Sequence, residues 1–147
     1  MKRHEVINLS QALSDKGFKA KHLSNESYVG LTWLKRDISK WRTQAGEAET
    51  ALIDDFKEVV EMTQAGIMPL KDAKEDDVKN FYAKLLDVQK SMTFNPKQLN
   101  FIPVDEFRKA VEDADSEVSF TLAEYLLRDE VLKPEPKLVL TESNGQS

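Results

Sequence analysis

Residues 26–64 read ESYVGLTWLKRDISKWRTQAGEAETALIDDFKEVVEMTQ. Leu31, Ile38, Ala45, Leu52 and Val59 recur every seven residues, with Leu34, Trp41, Ala48 and Met62 as companions. Asp55 is the one breach of this seam, and Phe56 restores the stripe beside it. Alternating steps of three and four over four heptads are the signature of a coiled-coil-like helix. Unbroken from about 26 to 64, such a helix is about 58 Å long at 1.5 Å per residue. Gly46 is its weak point, at a cost of about 1 kcal/mol relative to alanine. The heptad phase holds across Gly46, and Ala45 and Ala48 suit a close helical neighbour, so the reading favours continuity over a hairpin there.

Outward from this helix the pattern stays helical. Val6, Leu9 and Leu13 follow helical spacing from about Arg3, and Gly17 is expected to stop that helix in the left-handed conformation, with Phe18 covering its last turn. Ser24 or Asn25 can cap the long helix. Ala65-Gly66-Ile67 reads as a glycine stop and Pro69 prevents continuation; Asp72 with Glu75 resembles a capping box. Val78, Phe81, Tyr82, Leu85, Leu86 and Met92 then make a third amphipathic helix. A short helix with Val104, Phe107 and Val111 inward follows Pro103. Asp115 or Ser116 opens the last helix, which carries Phe120, Ala123, Leu126, Leu127 and Val131 and ends at Pro134 and Pro136. The expectation is an all-α bundle of four or five helices without significant sheet: one domain over 1–133 and a loose tail over 134–147.

At 147 residues the chain is long enough to bury a core without staples, and its lack of cysteine removes disulfides, thiolate metal sites and thiol nucleophiles. No apolar run has the length of a membrane span, and none follows Lys2 and Arg3 as in a signal peptide, which points to a cytoplasmic setting. Charge is uneven. Residues 1–42 hold nine Lys/Arg against four Asp/Glu (+5), and residues 43–147 hold twelve against twenty-two (−10), which sum to the net −5. Such asymmetry fits a basic arm for nucleic acid, or basic and acidic halves that face each other, and the second is the expectation.

The chain carries few motifs with chemistry of their own. Neither common phosphate-cradling glycine motif is present, and no G-x-S-x-G elbow supports a serine nucleophile. His4-Glu5 opens like a zinc-protease motif, but position 8 is Asn. The best enzymatic alternative is acidic: Asp54, Glu58 and Glu61, with Glu47 on the same helix, could hold a divalent metal. Glu58-x-x-Glu61 partly resembles the metal motif of all-α nucleotide pyrophosphohydrolases, whose paired first glutamates are missing here. In the heptad phase these acids fall outside the seam, on a solvated face.

Lys35, Arg36, Lys40 and Arg42 interleave with Trp33 and Trp41, a pattern that can hold phosphates and stack bases of a single strand. Trp41 lies on the seam, which makes it core, whereas Trp33 lies off it. A 58 Å helix outspans its shorter neighbours, so part of its seam should protrude and invite a second chain. The candidate partner-binding residues are Trp33, Lys35, Ile38 and Trp41. No catalytic residue and no cofactor is implied. A protein partner or self-association is favoured over nucleic acid, a membrane or a small-molecule substrate.

Glu5-Val6-Ile7-Asn8-Leu9-Ser10-Gln11-Ala12-Leu13 and Leu99-Asn100-Phe101-Ile102-Pro103-Val104-Asp105-Glu106-Phe107 resemble small helical proteins encoded by phages and prophages of Bacteroides-type gut bacteria. The resemblance runs from the first helix to about Val131. It implies a viral or mobile-element setting and a protein-binding role, in assembly, in the virion or against host systems, with no catalytic residues to carry over.

Overall fold

The computed structural model describes residues 1–128. It contains α1 (Arg3–Leu13), α2 (Asn25–Asp55), a hairpin of β1 (Val60–Thr63) and β2 (Gly66–Pro69), α3 (Glu75–Ser91), α4 (Val104–Ala110) and α5 (Ser116–Leu126), with a single 3₁₀ turn at Ala20–His22. The fold is therefore mostly helical, as the periodicity predicts. The two-stranded antiparallel sheet is the departure.

α2 opens where the capping signal lies: Ser24 Oγ accepts from the Ser27 N–H at 3.3 Å, and the Tyr28 N–H donates to the Ser24 carbonyl at 2.9 Å. The helix runs straight through Gly46 for 31 residues, about 46 Å. It stops at Asp55, nine residues short of the expected end at 64. Asp54 and Asp55 bring negative charge to the carbonyl end of the helix, where the macrodipole opposes it, and the β-branched pair Val59-Val60 follows. Val60 pairs with Pro69, Glu61 with Met68, Met62 with Ile67 and Thr63 with Gly66 around a two-residue turn. Gly66 takes a φ of +111°, so its freedom serves a hairpin and not a helix stop. Thr63 Oγ1 donates to the Gly66 carbonyl at 2.9 Å and accepts from the Ala65 N–H at 3.1 Å, which closes the turn.

The seam of α2 is covered by the chain itself. Leu31, Leu34, Ile38, Trp41, Ala45 and Leu52 are all buried, so the expected protruding seam is absent along these positions. Asp55, the breach in the pattern, is an exposed residue at the helix end.

The described chain divides into two compact units. The first comprises residues 1–10 and 33–97. There the hairpin and α3 close over the end of α2: Leu52, Val60, Phe81 and Leu85 form the core, flanked by Ile53, Phe56, Val59, Ile67 and Val88. The Phe81 ring meets Phe56 and Tyr82 edge-on at centroid distances of 5.4 and 5.2 Å. Elsewhere in the unit Trp41 lies against Phe94 at 6.2 Å, and the Phe94 N–H donates to the Met1 carbonyl at 3.0 Å. α3 begins only at Glu75 and without a side-chain cap, so the capping box expected at Asp72 does not form. The Ala73 N–H is engaged by the Leu70 carbonyl at 3.1 Å in a turn that precedes the helix.

The second unit comprises residues 11–32 and 98–128, with Phe18, Leu23, Leu31, Ile102, Phe107, Ala110, Leu122 and Leu126 buried. Gly17 does not take the expected left-handed conformation. It is a point of close approach, since a methyl group there would come within 2.6 Å of Ala114 Cα and the Asp113 carbonyl. Asp115 caps α5, accepting from the Val118 N–H at 2.9 Å. α5 ends at Leu126, before the Val131 expected on it, because Leu127 leaves the helix to bridge Ile102 in parallel. On this helix Phe120 is 77% exposed, and Leu122 is buried. Val131, Pro134, Pro136 and the tail over 134–147 lie outside the described residues. Among the described residues no helix is long and apolar enough to cross a membrane.

Candidate interaction face

Four residues were expected to meet a partner, and α2 separates them by face. Ile38 and Trp41 are buried at 4% and 8% exposure, which withdraws them from any partner of the folded chain. Trp33 is 49% exposed and Lys35 is exposed. Trp33, Arg36 and Lys40 succeed one another at steps of three and four, so they share one helical face, with Lys35 beside it. Arg36, Lys40 and Arg42 are also exposed.

The ion pairs explain why this face stays charged. Among the described residues they are Arg3 with Glu49 at 3.2 Å, Lys19 with Asp113 at 3.9 Å and Lys79 with Glu75 at 3.9 Å. Two of the nine basic residues in 1–42 are thus answered by an acid among the described residues, and Lys35, Arg36 and Lys40 are not. The expectation that basic and acidic halves neutralise each other in the fold is met at Arg3 and Lys19 and fails along α2. Arg42 makes a hydrogen bond instead, from Nη1 to Ser10 Oγ at 3.2 Å.

The acidic alternative lacks its shared helix. Asp54 is in the last turn of α2, Glu58 is in the turn that follows, and Glu61 is on β1, all exposed. Among the described residues no group of three or more His, Asp or Glu is close enough to hold a metal ion. Their three- and four-residue spacing places them together only on a helix, and the helix ends before Glu58.

Two clefts in the first unit were not anticipated. The larger, about 560 Å³, is lined by Lys2, Arg3 and His4 at the start of α1 and by Leu86, Gln89, Lys90, Met92 and Thr93 at the end of α3. The smaller, about 150 Å³, has Trp41 and Ala45 of α2 in its wall and shares Met92 and Thr93 with the first. Glu49 stands behind the larger one, paired with Arg3 and accepting from Gln89 Nε2 at 3.4 Å. One sign of this surface was in the sequence. Tyr82 and Leu86 repeat the spacing of the buried pair Phe81 and Leu85 one position later, an apolar stripe beyond the one α3 needs for packing. Tyr82 and Leu86 are 40% and 50% exposed.

In the second unit, Glu106 of α4 accepts from the Ser24 N–H at 2.9 Å, which places a carboxylate at the positive end of α2. Burial would raise its pKa, but the Ser24 backbone bond, hydrogen bonds with the Ser27 and Ser24 side chains and the Arg128 charge outweigh burial and hold it below the usual carboxylate value. This arrangement is a helix cap, and nothing in the spacing of Ser24 and Glu106 announces it.

No protein-family model, curated protein or solved structure matches the chain.

Proposed function

We propose that this is a non-enzymatic helical protein that works by protein–protein contact through the Trp33 face of α2, with a second copy of the chain as the occupant. The observation that carries the reading is the half-exposed Trp33 beside Lys35, Arg36 and Lys40, none of them ion-paired among the described residues. Tryptophan and arginine are the side chains that most often anchor interfaces. The chain also supplies the complement to this face, because residues 43–147 carry a net −10. Basic face against acidic surface is a heterologous contact, steered by charge and weakened by salt. A role in phage assembly, in a virion or in host interaction is the setting in which we place this contact, following the resemblance of the two short motifs.

Sedimentation equilibrium at low and high salt tests the reading. Association at low salt should weaken as salt rises and should be lost in Trp33→Ala combined with Lys35→Glu. A monomer at every concentration and salt would contradict it. Single-stranded nucleic acid is the second reading, favoured by the same exposed tryptophan among cations. It predicts binding of an oligothymidylate that quenches Trp33 and falls steeply with salt.

A further inference from the structure

Among the described residues Phe120 is the most exposed large apolar side chain, at 77%. It belongs to α5, whose exposed residues are Ser116, Glu117, Phe120 and Glu124. Steps of three and four set Glu117, Phe120 and Glu124 along one side of that helix, so the aromatic ring stands between two carboxylates. α5 carries no Lys or Arg, and neither glutamate is ion-paired among the described residues. The helix packs through Leu122 and Leu126, which are fully buried, and Phe120 takes no part in that core.

This stripe is the converse of the Trp33 face. Trp33, Arg36 and Lys40 are an aromatic with two cations, at the same steps of three and four. Each set extends about 10 Å along its helix. Asp37, half-buried next to Arg36, is an acid against the match, and Lys35 offsets it. Tyr82 and Leu86 of α3 answer the Trp33 face less well, because Lys79 and Lys90 share their side of the helix and like charges across an interface are costly. We propose that the Trp33 face of one copy docks on the α5 stripe of a second. Trp33 and Arg36 close on the Phe120 ring, and Glu117 and Glu124 meet the cations around it. This pairing presupposes self-association through the Trp33 face and identifies the surface that receives it. The two surfaces differ, so the contact is heterologous and either closes a ring or leaves a free face and a free stripe at the ends of a growing chain.

Two complementary variants of the full chain provide the test. Trp33→Ala with Lys35→Glu disables the basic face and keeps the stripe. Phe120→Ala with Glu124→Lys disables the stripe and keeps the face. All four positions are exposed, and a lysine at 124 suits the C-terminal half of the helix dipole. In sedimentation velocity at low salt, each variant alone should associate at least tenfold more weakly than wild type. Mixed together they should pair one to one, at least tenfold more tightly than either binds itself, and high salt should dissolve the pair. If the stripe variant fails to fold, Glu117→Gln with Glu124→Gln removes the charge alone and should weaken association and flatten its salt dependence. A stripe variant that associates like wild type would overturn the α5 contact and leave the Trp33 face standing. So would a mixture that stays monomeric while wild type associates. Wild type that is monomeric under every condition would overturn both.

Discussion

At the residue scale the most informative carboxylate is Glu106. Its pKa is lowered in the fold, chiefly by the Ser24 N–H bond acting against burial. A carboxylate whose folded pKa lies below its unfolded value adds stability that is complete above the unfolded value. That stability is lost as pH falls through the folded one. Wild type should therefore lose more stability than Glu106→Gln across the ordinary carboxylate range, about pH 5 to 3, as read by urea unfolding at each pH. At neutral pH the same substitution should cost about 1 kcal/mol, for a weakened cap and a lost charge at the helix N-terminus. Equal acid limbs for the two proteins would show that the cap carries no charge-dependent stability. Asn100 is the comparable residue at the other end of a helix. It accepts a φ of 53°, and its Nδ2 donates to the Glu124 and Leu127 carbonyls at 2.9 and 3.0 Å, satisfying groups that α5 leaves open.

At the scale of elements, α2 shows what a periodic pattern can and cannot reveal. The buried positions Leu31, Leu34, Ile38, Trp41, Ala45 and Leu52 are those the heptad names, and Gly46 lies inside the helix. The pattern continues in the sequence past Asp55, because Val59 and Met62 fall in phase by coincidence. A strand of alternating faces also samples every second position, and Val60 is the residue that is buried. Only the two aspartates at a helix C-terminus and the Gly66-to-Pro69 segment mark the change, and each is also compatible with a helix stop. Two glycines give opposite expectations in thermal unfolding. Gly46 has open space around it, so Gly46→Ala should stabilise by up to about 1 kcal/mol. Gly17→Ala should destabilise by about 1–3 kcal/mol, because the added methyl meets backbone of Ala114 and Asp113. Stabilisation at Gly17, or loss at Gly46, would contradict these local geometries.

At the scale of the whole molecule, fold class was legible and the interaction surface only in part. Periodicity marks which side chains leave water, so it found the α2 core and set Trp33 off the seam, while the choice between a covered and an exposed Trp33 is made only by the fold. It assigned Ile38 and Trp41 to a protruding seam because helix length was overestimated by nine residues, and the shorter helix is covered along those positions. The clefts depend on residues 2–4 meeting residues 86–93, a long-range juxtaposition with no local signal. The charge split between residues 1–42 and 43–147 was visible as a number. Which cations find partners follows only from the tertiary positions of Glu49 and Asp113. Among the described residues Lys35, Arg36 and Lys40, beside Trp33 on α2, are left without an acid after that pairing. Quenching of tryptophan emission by neutral acrylamide against protein concentration addresses the Trp33 face directly, since buried Trp41 is shielded and Trp33 supplies most of the quenchable signal. Quenching should fall as concentration rises at low salt and recover at high salt, as Trp33 is covered by a second copy. Undiminished quenching at every concentration would contradict a contact made through this face.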